Sequence, residues 1–85
     1  MQLEVFGGEM ALRGFDFLKT GRELRGLTQT EVAEIYGVSE RTYRRWELGD
    51  VRVPFDDVSA ICDQVFKLRI DEIRATIEVN SNGED

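Results

Sequence analysis

"RGLTQTEVAEIYGVSERTYRRWELG", residues 25–49, decides the fold. Gly26, Gly37 and Gly49 cut it into two segments of ten and eleven residues. Thr28 stands at the head of the first, with Glu31 three residues on. That is the spacing at which a hydroxyl and a carboxylate cap each other's backbone N–H groups. Ser39 heads the second segment as its N-cap. A glycine after each segment supplies the left-handed residue on which helices commonly end. The spacing predicts helices over Gln29–Tyr36 and Glu40–Leu48, the first burying Val32, Ala33 and Tyr36. Only Gly-Val-Ser joins them. Two short helices joined by a three-residue turn containing glycine make a helix-turn-helix.

The second of these helices divides into two faces. At about 100° per residue, Glu40, Arg41, Arg44 and Arg45 fall within an arc of about 140°. Tyr43 and Trp46, the chain's single tryptophan, lie on the other side, about 60° apart with Ser39 between them. The aromatics are the expected core anchors and the arginines the displayed face. Arginine can hold guanine O6 and N7 with two donors at once, and it also binds phosphates, so this face suits a DNA major groove. Glu40 could accept from cytosine N4 or simply balance Arg44 at i+4. The plainer reading is a solvated charged helix; the preceding turn and the inward Trp46 favour the groove.

Working outward, Phe15–Arg25 reads as a first helix with Phe15, Phe17, Leu18 and Leu24 inward. Gly21 inside it costs about 1 kcal/mol against alanine. Pro54 opens a fourth helix over 54–66, with Asp56 and Asp57 in the first turn, where the helix dipole favours anions. Val58, Ile61, Cys62 and Val65 form its inward stripe. A fifth helix over 70–79 places Ile70, Ile73 and Ile77 inward. Residues 80–85 read as a disordered acidic tail. Residues 1–14 read as an arm or a short strand, with "QLEVF" at 2–6 alternating weakly. The sum is an all-α, compact five-helix domain over residues 15–79.

The chain has 85 residues, room for one small core. Its net charge is −6, unevenly spread: residues 1–17 carry −2, residues 18–49 carry +1 and residues 50–85 carry −5. The only non-acidic segment is the one holding the arginine face. There is no histidine and one cysteine, Cys62, which argues against a zinc site, a disulfide framework or histidine-based catalysis. Cys62 reads as plain core. No metal, no cofactor and no enzymatic activity are expected. No apolar run approaches the ~20 residues of a membrane helix, and the start lacks the pattern of a signal peptide. A cytoplasmic protein is expected.

Residues 18–49 resemble the helix-turn-helix of the lambda-repressor and Cro-like regulators, the XRE family. The resemblance rests on Arg22, "GLTQ" at 26–29, Val32-Ala33, "GVS" at 37–39, Thr42, and Trp46-Glu47 followed by Gly49. Residues 54–73 match more loosely as that family's fourth and fifth helices. The resemblance implies base-reading positions at Ser39, Glu40, Arg41 and Arg45. It implies DNA-backbone contacts from Gln29, Thr42, Arg44 and Arg52, and a salt bridge between Arg22 and Glu47, with Arg22 also able to reach phosphate. Five positions depart from the pattern. Asp50 stands where relatives carry a cation, Asp56 and Asp57 lie in a region that often faces DNA, Tyr43 replaces a smaller aliphatic, and Gly21 replaces an aliphatic.

The expected function is sequence-specific regulation of transcription. A repressor is favoured, binding double-stranded DNA at an inverted repeat as a homodimer, in a phage, prophage or autoregulatory setting. Two alternatives remain open at this level: an antitoxin holding a toxin partner, and an interaction module that contacts polymerase and no longer binds DNA. "QLEVF" and the stripe Ile70, Ile73 and Ile77 are the candidates for a dimer interface.

Overall fold

The computed structural model describes residues 12–83, with side chains placed through Val79. The "QLEVF" segment therefore lies outside the described residues. Arg13 enters extended, and its backbone N–H donates to the Asp16 carboxylate at 2.9 Å. Helix α1 then runs Gly14–Arg25. Gly26 ends it in the left-handed region, at φ 66°. The inward residues of α1 are Phe17, Leu18 and Gly21.

Helix α2, Gln29–Tyr36, opens on the expected reciprocal cap. The Thr28 hydroxyl accepts from Glu31 N–H at 3.0 Å, and the Glu31 carboxylate accepts from Thr28 N–H at 2.8 Å. Helix α3, Glu40–Leu48, opens on Ser39 and closes on Gly49. Helix α4 spans Phe55–Ala60, capped by Pro54, and continues as a π-helical stretch over Ile61–Phe66. Lys67 closes that stretch with φ 58°, the one left-handed non-glycine among the described residues. Helix α5 runs Ile70–Gly83, four residues beyond the expected end at 79. Among the described residues there is no strand.

The π-helical stretch has a packing consequence. In a straight α-helix Phe66 would stand about 140° around from Ile61. Bonding from i to i+5 brings the two towards one side, and both are fully buried. The core gathers Leu18 from α1, Val32 and Ala33 from α2, Tyr43 and Trp46 from α3, Val58, Ile61, Cys62 and Phe66 from α4 and its continuation, and Ile73 from α5. Burial pushes the Cys62 thiol up to about 11, so it stays a neutral core group. Helix α1 is the hub, packed against α3, α4 and α5 together with the π-helical stretch.

Three expectations need correction. Leu24 is 48% exposed rather than inward. It shares Phe17's side of α1 but sits in the last turn, where no neighbouring helix covers it. Tyr36 is half-buried, because its hydroxyl reaches the α4 edge to donate to Asp57 Oδ1 at 2.5 Å. Val65 is likewise only half-buried, displaced from the stripe by the wider π turn that carries Phe66 inward. The stripe on α5 lies inward as expected: Ile73 is fully buried, and Ile70 and Ile77 pack against the core cluster. Gly21 also has its reason. A Cβ there would meet the Phe66 ring at 2.4 Å, so glycine lets that ring lie on the α1 backbone.

Candidate nucleic-acid interface

Helix α3 is held from one side and free on the other. Tyr43 is fully buried and Trp46 nearly so, their rings meeting edge to face with centroids 6.4 Å apart. On the same inner side, Glu47 is buried and fixes the helix to its neighbours. Its carboxylate receives Arg22 Nε at 2.7 Å and Arg22 Nη2 at 3.0 Å, a two-pronged pair from α1. It also receives Gln29 Nε2 from α2 at 3.0 Å. Arg22 spends a further donor on the Leu27 carbonyl, at 3.1 Å, in the turn between α1 and α2. One carboxylate thus ties three helices together.

The charges in this cluster stabilise each other. Burial opposes the ionised form of Glu47, but the hydrogen bonds, Arg22's foremost, outweigh it and hold its pKa below the usual carboxylate value. The bond to Glu47 raises the already high pKa of Arg22, so the guanidinium stays charged. The Tyr43 hydroxyl lies buried beside this cluster without a partner at hydrogen-bonding geometry. Burial first, and then the Glu47 carboxylate, push its pKa far up, keeping it a neutral phenol.

The outer face of α3 carries Arg41, Arg44 and Arg45, all exposed. Arg44 forms an i, i+4 ion pair with half-buried Glu40, so both readings of Glu40 meet at one place. An exposed pair of this kind is worth about 0.5 kcal/mol and yields readily to a better partner. Arg41 and Arg45 have no side-chain partner among the described residues, and neither has Arg52, exposed in the loop before Pro54. The Ser39 hydroxyl accepts from Thr42 N–H at 3.0 Å and donates to the Thr42 hydroxyl at 2.9 Å. These two therefore hold the helix start, and only Ser39 is exposed.

The remaining candidates fall into place around this face. Gln29 is tethered to Glu47 at the N-terminus of α2, a link that no sequence spacing announces, since 18 residues separate the two. Asp57 is occupied by Tyr36, and Asp50 is exposed just past the Gly49 stop. Arg25, which sequence reasoning left without a role, donates from Nε to the Phe66 carbonyl at 2.6 Å. It thus caps the end of the π-helical stretch. Among the described residues no group of carboxylates and thiols could hold a metal ion.

Buried aromatics and Glu47 on one side of α3, free arginines on the other, and a tight glycine turn leading in are the parts of a DNA-reading helix. A helix-turn-helix family model matches residues 18–73. The chain belongs to the Cro/C1-type (XRE) helix-turn-helix family. No curated protein and no solved structure gives a match. This helix-turn-helix protein is a DNA-binding transcriptional regulator with the all-α architecture of that family. No helix of its described residues is long and apolar enough to cross a membrane.

Proposed function

We propose that this regulator is a cytoplasmic repressor that binds an inverted-repeat operator as a homodimer. In this reading each α3 enters a major groove, and the two half-sites lie one helical turn apart. Arg41 and Arg45 read bases, with Ser39 and Glu40 at the edges of the reading face. Arg44 leaves Glu40 to take a phosphate. Thr42, Gln29 and Arg52 contact the backbone, Gln29 together with the free N–H groups at the start of α2. Arg22 acts mainly through Glu47. A phage, prophage or autoregulatory setting is the accompanying biological proposal. The observation that carries the reading is the state of Arg41 and Arg45: exposed and unpaired among the described residues, on a helix whose opposite face is locked into the core.

The test is fluorescence-anisotropy binding to the DNA upstream of the chain's own gene, beside a scrambled duplex, at two salt concentrations. The native site is expected to win by about a thousandfold, and Arg41→Ala to remove most of that preference. Arg52→Ala is expected to weaken both duplexes alike and to lower the salt slope by about one. Equal weak binding to both duplexes, untouched by Arg41→Ala, would refute the base-reading role.

A further inference from the structure

The Tyr43 hydroxyl is a polar group that the folded core leaves unbonded. The residue is 0% exposed, and its hydroxyl has no hydrogen-bond partner among the described residues. The ring rests edge to face against Trp46, which fixes where the oxygen stands. Glu47 follows four residues later on α3, one turn away on the same side. Its carboxylate and the Arg22 guanidinium are the charges that act on the phenol. Leaving a buried hydroxyl unbonded costs the fold free energy, which any state that bonds it recovers.

The ties on Glu47 explain why the hydroxyl is unbonded. Oε1 receives both Arg22 Nη2 and Gln29 Nε2, each at 3.0 Å, and Oε2 receives Arg22 Nε at 2.7 Å. With α1 on one side and α2 on the other, the carboxylate is pinned and does not turn to the phenol. Gln29 is the removable tie. Arg22 is charged and two-pronged, whereas Gln29 gives one bond from a neutral amide. The Glu47 side chain is 3% exposed, so an amide bonded to it is turned inward. To meet a phosphate outside, the Gln29 amide has to turn outward and release Glu47.

We propose that Tyr43 is a positioning residue for DNA binding: as Gln29 leaves Glu47 for a DNA phosphate, the Tyr43 hydroxyl donates to the vacated Oε1 in its place. The buried carboxylate keeps its donors throughout, and α3 stays tied to α1 while Gln29 is engaged on the duplex. The timing of the exchange rests on the phosphate contact given to Gln29 above; the ability of Tyr43 to replace Gln29 does not.

The replacement is tested first without DNA. A phenol that donates to a carboxylate has its Cζ resonance moved downfield, and the chain has two tyrosines to label with carbon-13. Gln29→Ala should move the Tyr43 signal downfield and leave that of Tyr36, bonded to Asp57 in either case, in place. Tyr43→Phe should leave Tm unchanged in the wild type and lower it by about 5–10 °C in Gln29→Ala, where the hydroxyl has gained a charged acceptor. An unmoved Tyr43 signal, or an equal loss of Tm in both backgrounds, would overturn the proposal. The second test is anisotropy binding to the upstream and scrambled duplexes. Tyr43→Phe should weaken both about tenfold, since a phosphate contact carries no sequence information, and should change neither in Gln29→Ala. If Gln29→Ala itself leaves both affinities unchanged, the phosphate role of Gln29 fails and the exchange on DNA fails with it. If Gln29→Ala weakens binding and Tyr43→Phe does not, the exchange alone is overturned.

Discussion

Replacing Glu47 by glutamine removes one charge from the cluster that ties α3 to α1 and α2, and changes little else in shape. The side chain is 3% exposed and its partner Arg22 17% exposed, so the pair is largely shielded from water. Glutamine keeps one acceptor oxygen for Arg22 or Gln29 but brings two donors towards a guanidinium that has none to receive them. Hydrogen bonds to charged groups contribute about 1.5–3 kcal/mol. Outright breakage of a buried pair costs about 3–5 kcal/mol. Partial exposure of Arg22 and the retained oxygen place Glu47→Gln at about 2–3 kcal/mol. For a chain of this size that is a fall in Tm on the order of 10–20 °C, read by circular dichroism at pH 7. The pH dependence carries the sharper test. The folded pKa of Glu47 is depressed below its unfolded value of 4.5. Its stabilisation is therefore fully present above about pH 4.5 and drains away as pH falls through the folded pKa. The gap between wild type and Glu47→Gln should be wide at pH 7 and close on acidification. A gap that stays constant down to pH 3 would show that the carboxylate's charge does no stabilising there, and the reasoning would fail.

Gly21→Ala gains about 1 kcal/mol of helix propensity but drives a methyl group into the buried Phe66 ring. Overpacking of that kind costs up to about 3 kcal/mol, so urea denaturation should show a net loss of about 2 kcal/mol, partly recovered in Gly21→Ala/Phe66→Leu. Unchanged or improved stability would mean that Phe66 does not rest on the α1 backbone. Tyr36→Phe removes the bond to Asp57 and should cost about 1 kcal/mol at pH 7. That bond, with burial, pushes the Tyr36 phenol up to about 12 from 10. The folded protein should therefore hold this proton through pH 10 and lose the contribution only as pH rises through about 12, which an absorbance titration against the variant reads directly.

The helix-turn-helix was legible because its signals are local. Thr28 with Glu31, Ser39, and the glycines at 26, 37 and 49 each act within four residues, and every one appears at its expected place. The Arg22–Glu47 bridge was reached through the family's pattern rather than through spacing. Gln29's tether to the same carboxylate escaped because a contact across 18 residues leaves no periodic trace. Phe66 escaped for another reason. A stripe counted at 3.6 residues per turn follows α-helical geometry, and the backbone between Ile61 and Phe66 does not. Leu24 was misplaced because periodicity gives the side of a helix and says nothing of where its neighbours stop. The arginine face was legible as a face, and so was the i, i+4 spacing that pairs Glu40 with Arg44; that Glu40 takes this pair was left open beside a base contact, since spacing shows which side chains can meet and not which partner wins.

An acidic chain with an arginine face raises the question of whether its own charge works against DNA. The exposed acids Asp71, Glu72 and Glu78 lie on α5, which packs on α1, which in turn packs on α3. Packed helix axes stand about 8–10 Å apart, so α5 and α3 are separated by up to about 20 Å. At that range a unit charge in water is worth about 0.2 kcal/mol. Three such charges come to about 0.6 kcal/mol, a factor of about three in affinity, before screening. The Debye length is about 30 Å at 0.01 M salt and about 8 Å at 0.15 M. Asp71→Asn/Glu72→Gln/Glu78→Gln should therefore raise affinity for a scrambled duplex about twofold at the lower salt, where screening halves the energy, and hardly at all at the higher. A rise of equal size at 0.15 M would place these acids beside the DNA face. No rise at 0.01 M would mean that they take no part in binding. The expected pattern makes the acidic surface a brake on loose, long-range attraction to any duplex. Contacts made within a few ångströms by Arg41 and Arg45 would be left untouched, so the discrimination between operator and random DNA would rest on those two side chains.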